Sequence, residues 1–96
     1  MKSINIPYEL NGIIKYAVLQ YQVTRIDRDN YRFMIFCKHK EDKHDKDLIE
    51  KIMLEFERLV LIRIKLILND YTSVPLIDYV LIEANAYQEH EEYDNE

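Results

Sequence analysis

Between Tyr16 and Ile26 the chain alternates, with Ala17, Leu19, Tyr21 and Val23 on one side and Gln20, Gln22 and Thr24 on the other. A period of two places one face of a strand in a core and the other outside it. Asp27-Arg28-Asp29-Asn30 is a turn-forming cluster, after which Tyr31, Phe33, Ile35 and Phe36 resume an aromatic and branched run up to Lys38. The pattern predicts a β-hairpin. Upstream, Asn11-Gly12 is a strong turn dipeptide and the short alternation of Lys2 to Tyr8 before it predicts a third strand. Leu10, Ile13, Ile14, Ala17, Val18 and Tyr21 also fall at helical spacing, so residues 8–24 stay open between strand and helix.

Lys38 to Lys46 is a polar connector, and Asp45 or Asp47 at its end can cap a helix, since a short acidic side chain accepts from the free N–H groups of a first turn. Leu48, Ile49, Ile52, Phe56, Leu59, Val60, Leu66 and Ile67 then follow at spacings of three, four and seven, the stripe of an amphipathic helix. Leu54, Leu61 and Leu68 recur every seven residues on the other side, with Ile64 beside them. A helix apolar on two faces must be covered on both. Leu59 to Leu68 also alternates as a strand would, but no Gly, Pro or Asn separates Phe56 from Val60, which favours a continuous helix. Asn69 to Ser73 reads as a loop with Thr72 or Ser73 as the next cap, Pro75 in a first helical turn, and Ile77, Val80, Leu81, Ala84 and Tyr87 as the stripe of a second helix, antiparallel to the first.

The expected fold is therefore α+β, a two- or three-stranded antiparallel sheet in the N-terminal half followed by a long helix and a second antiparallel helix. Residues 1–88 form one domain in this reading. Residues 89–96 hold five acids without periodicity and are expected to be a disordered tail.

Composition narrows the class. Ninety-six residues suit one domain, and 48% hydrophobic side chains are enough to offset the entropy of ordering it. The single cysteine, Cys37, excludes an internal disulfide and the zinc sites that need two cysteines. Residues before Glu9 hold no apolar run of the secretory type, and Leu59 to Leu68 is too short to span a bilayer and contains Arg63 and Lys65. The expectation is a soluble cytoplasmic protein, in the host cytoplasm if viral, with no membrane partner. One Gly, two Pro and no Trp beside eight Tyr is the usage of an AT-rich genome, which fits an accessory protein of a virus or mobile element. Net charge is −5, divided as +3 over residues 1–46 and −8 over the rest, an asymmetry that bears on partners and not on fold.

Cys37, His39, Asp42, His44 and Asp45 are five potential metal ligands within nine positions, but the histidines sit among Lys38, Lys40, Lys43 and Lys46, whose charge opposes a cation. Histidine is the residue type whose unperturbed pKa suits acid–base work, which makes His39 and His44 candidates for it. Ser3 and Ser73, the two serines, have no histidine near them in sequence, so no activated nucleophile is visible. The reading is a non-enzyme without metal or cofactor.

Two surfaces are left as candidates. Leu54, Leu61, Ile64 and Leu68 would form a symmetric dimer interface, because an exposed apolar stripe is a liability for a monomer. Arg25, Arg28, Arg32, Lys38, Lys40 and Lys43, interleaved with Tyr16, Tyr21 and Tyr31, would contact nucleic acid by neutralising phosphates and stacking on bases. Strong nucleic-acid binders have basic domains, and the pI here is about 5.2. The functional expectation is a small non-enzymatic interaction or regulatory protein, a homodimer engaging a host macromolecule. The alternative is a nucleic-acid-binding protein using the basic hairpin and connector.

Overall fold

Asn11 and Gly12 have φ of 53° and 78°, and Leu10 pairs directly with Ile13 across them. Two positive φ values in a two-residue loop match the right-handed twist of the strands they join, which is why Asn-Gly serves here. The turn links β1 (Lys2–Leu10) to β2 (Ile13–Arg25), and the helical reading of this region is overturned in favour of strand. β2 turns through residues 26–29 into β3 (Asn30–Lys38), as the alternation predicts. The computed structural model describes residues 1–39 and 45–89; the tail expectation falls outside them from residue 90 on.

A helix α1 (Lys46–Phe56) begins where the sequence places it, with the Asp45 side chain accepting from the N–H of Asp47. It buries Leu48, Ile49, Ile52, Met53 and Phe56 against the sheet. Phe56 meets Tyr21 edge-on at 5.3 Å and Phe33 at 5.8 Å between ring centroids, so one aromatic cluster joins α1, β2 and β3. Perpendicular packing sets the electropositive ring edge against the negative face.

Beyond Phe56 the structure corrects the sequence reading. The chain widens into a π-turn over Glu57–Leu61, tightens into a 3-10 turn over Ile62–Ile64, and reverses at Lys65, whose φ of 61° is left-handed. A strand β4 (Leu66–Pro75) follows, then β5 (Val80–Gln88). The long helix and the second helix are therefore both overturned: the sheet has five strands in the order β1-β2-β3-β5-β4, all antiparallel, with one α-helix on one face. The reversal needs no Gly or Pro because Lys65 itself takes the left-handed conformation that usually calls for glycine. In β5 the working period is two, with Val80, Ile82, Ala84 and Ala86 buried. The helical spacing of Ile77, Val80, Leu81, Ala84 and Tyr87 is incidental. Pro75 closes β4, on the outer edge of the sheet where its missing N–H removes no central ladder bond.

Among the described residues, no helix is long and apolar enough to cross a membrane.

Candidate interaction face of the sheet

Alternation along each strand gives the sheet two faces. One carries Ile6, Tyr8, Ala17, Leu19, Tyr21, Phe33, Ile35, Cys37, Ile82, Ala84 and Ala86 into the core beneath α1. The other has no helix over it among the described residues. Register assembles its side chains into rows across the strands. Gln20, Phe36, Leu81 and Val74 are direct neighbours across β2, β3, β5 and β4. Val18 lies beside Lys38 in the next row, and Tyr79 meets the ring of Phe36 edge-on at 5.4 Å. Tyr16, two residues before Val18, continues the apolar line along β2. Tyr16 is 58% exposed and Val74 is 51% exposed. A depression bounded by Met1, Val18, Gln20, Phe36 and Tyr79, with Lys38 and Asp78 at its charged side, lies in this half.

The opposite half of the same face is polar. Thr24, Arg32, Asn85 and Asp70 form one row. Asn85 donates through Nδ2 to Asp70 Oδ1 at 2.7 Å, and Arg32 Nε reaches Asn85 Oδ1 at 3.5 Å, the outer limit of a hydrogen bond. Gln22, Met34, Glu83 and Thr72 form the row between the two halves. Cations thus stand on β3 (Arg32, Lys38) and acids on β5 and β4 (Glu83, Asp70).

Both edges of the sheet are blunted. On β1, Pro7 has no N–H to offer, and Lys51 of α1 donates to the carbonyl of Glu9 at 3.3 Å. On β4, the N–H of Leu68 is taken by the Glu57 carboxylate at 2.9 Å, the register shifts between Leu68 and Asp70, and Pro75 ends the strand. Such devices oppose edge-to-edge pairing with another chain.

The stripe expected at Leu54, Leu61, Ile64 and Leu68 is divided by the π-turn and the reversal. Leu61 is 0% exposed in the core and Leu68, on β4, packs against it. Leu54, 56% exposed, and Ile64, 52% exposed, remain at the surface. The basic set is spread out. Arg25 donates to the carbonyls of Asp27 and Arg28, both at 3.1 Å, and so braces the β2–β3 turn. Arg32 and Lys38 stand about 20 Å apart along β3 at strand rise, with Met34 and Phe36 between them. Lys40 and Lys43 lie outside the described residues. Of the tyrosines, Tyr21 is in the core, Tyr31 is half-buried against it, and Tyr16 is on the open face.

Cys37 is buried, and desolvation pushes its thiol up to about 12, far from the thiolate that a metal or a nucleophilic role requires. Asp45 is engaged as the helix cap, and Asp42 and His44 lie outside the described residues. No group of three potential metal ligands forms among the described residues. Ser3 and Ser73 stand on opposite edge strands.

Sequence reasoning missed the open face, although a signal for it was present. Phe33-Met34-Ile35-Phe36-Cys37 and Val80-Leu81-Ile82 are unbroken apolar runs, the signature of strands covered on both faces, and they lie on β3 and β5, adjoining interior strands of the sheet. Comparison of the chain with family models, with curated proteins and with solved structures finds no match.

Proposed function

We propose that the protein is a small non-enzymatic interaction protein that works by presenting the open face of its sheet to another polypeptide. The apolar half of that face carries the reading: Tyr16, Val18, Phe36, Leu81 and Val74 adjoin one another at the surface. A contiguous apolar patch rimmed by polar residues marks a contact surface in a soluble domain. Charge argues the same way, because the face sets the cations of β3 beside the acids of β5 and β4 and offers no continuous basic track for a phosphate backbone.

The test is titration of labelled single- and double-stranded DNA and RNA with tag-free protein at low and moderate salt. The expected result is no binding at low salt, where electrostatic attraction is least screened. Sub-micromolar binding that weakens steeply with salt would replace this reading with contact of Arg25, Arg28, Arg32 and Lys38 with nucleic acid.

A further inference from the structure

We infer that the occupant of the open face is a second copy of this chain, stacked sheet on sheet about a two-fold axis that runs parallel to the strands between β3 and β5. The inference rests on the reading of that face as an interaction surface and names its partner. Three observations support it.

The first is the covering that β3 and β5 call for. Phe33, Ile35, Cys37, Val80 and Ile82 are satisfied by the core beneath α1, whereas Met34, Phe36 and Leu81 belong to the same unbroken runs and face outward. The second is area. At ordinary strand spacing and rise, the outer face of β2, β3, β5 and β4 measures about 19 Å by about 30 Å, so two stacked copies bury about 1,200 Å² together, within the range of specific interfaces. The blunted edges leave this face as the route by which two sheets meet with their backbone groups already paired.

The third is charge, and it selects the axis. Two stacked sheets can be related by an axis along the strands or by one across them. An axis across the strands sets β3 on β3, bringing the column that holds Arg32 and Lys38 against itself. An axis along the strands sets β3 on β5. Phe36 then covers Leu81 of the second copy, Gln20 covers Val74, and Arg32 lies over Asn85 with Glu83 and Asp70 of the second copy on either side. Like charges are separated and unlike charges approached, each contact occurring twice, as an isologous interface requires.

Light scattering of the full chain at micromolar concentration gives the first readout, with a mass of twice the 11.7 kDa chain expected. Val74→Glu and Phe36→Glu, each checked for a folded spectrum, are expected to raise the dimer dissociation constant by about tenfold or more. Val74 is half-exposed, so its replacement keeps the test valid if Phe36→Glu does not fold. The axis is tested by charge reversal. Arg32→Glu alone and Glu83→Arg alone are each expected to weaken the dimer, while an equimolar mixture of the two variants is expected to restore it, because each chain then meets its opposite. A monomeric wild-type mass overturns the dimer. That outcome leaves the interaction reading in place, since salt-sensitive nucleic-acid binding is what removes it. A dimer unaffected by Val74→Glu and Phe36→Glu overturns the use of this face, and a mixture no tighter than its components overturns the axis.

Discussion

The carboxylate of Glu57, in the π-turn after α1, accepts a hydrogen bond at 2.9 Å from the backbone N–H of Leu68 on the outer strand β4. One side chain thereby fixes the helical segment to the sheet edge and occupies a donor that an edge strand would otherwise present to solvent or to another chain. The bond is partly buried and one partner is charged, so its loss leaves a backbone N–H poorly satisfied. Glu57→Ala is expected to lower stability by about 1–2 kcal/mol in urea unfolding, with faster amide exchange at Leu68. Glu57→Gln keeps an acceptor and is expected to lose less. Equal losses in the two variants would show that the hydrogen bond contributes little.

Lys65 is the hinge between the helical segment and β4, and its φ of 61° places a Cβ-bearing residue in the left-handed region. Glycine adopts that conformation without the steric cost. Lys65→Gly is expected to be neutral or stabilising by up to about 1 kcal/mol, whereas Lys65→Val is expected to destabilise by more than that, since a β-branched side chain is poorly tolerated there. Thermal unfolding of the two variants beside the parent decides it. A destabilised Lys65→Gly together with an unaffected Lys65→Val would refute the assigned conformation.

Asp27 organises the β2–β3 turn. Its Oδ1 accepts from the N–H of Asp29 at 2.9 Å and of Asn30 at 3.0 Å, and the Asn30 side chain donates to both carboxylate oxygens. The Asp29 N–H and the Asn30 amide, aided by the charge of Arg25, hold its pKa below the ordinary value of 3.8. A carboxylate with a depressed folded pKa adds stability that is complete above the unfolded pKa and is lost as pH falls through the folded one. Urea midpoints of the parent are therefore expected to decline as pH drops below 3.8. Asp27→Asn, which has no charge to lose, is expected to show a shallower decline over the same range. Parallel pH profiles for the two proteins would count against the turn as a source of that dependence.

The Asn11-Gly12 turn and the β2–β3 hairpin were legible because their signals are local, whereas residues 8–24 satisfied helical and strand periods alike and became strand by pairing. Strict alternation over Leu19 to Thr24, an Asn-Gly pair needing positive φ, and an acidic turn cluster each specify their element within a few residues. The cap at Asp45 and the start of α1 were legible for the same reason. The C-terminal half was not. From Leu59 to Leu68 apolar residues satisfy helical and strand periods alike, and the stop is made by Lys65, a residue type that carries no stop signal. The expected outer stripe failed at Leu61, which the wider π-turn carries into the core.

Taken alone, the amino-acid order determined the Asn11-Gly12 turn, the β2–β3 hairpin and the beginning of the helix, all properties of contacts close in sequence. Tertiary structure decided the rest. Whether an ambiguous apolar run becomes helix or strand depends on which long-range partner covers it, and β5 found its partner in β3, some fifty residues away, with β4 outside it. That pairing also placed Phe36 beside Leu81 and Arg32 beside Asn85, creating a face whose mixed apolar and charged pattern exists in no single segment of the chain.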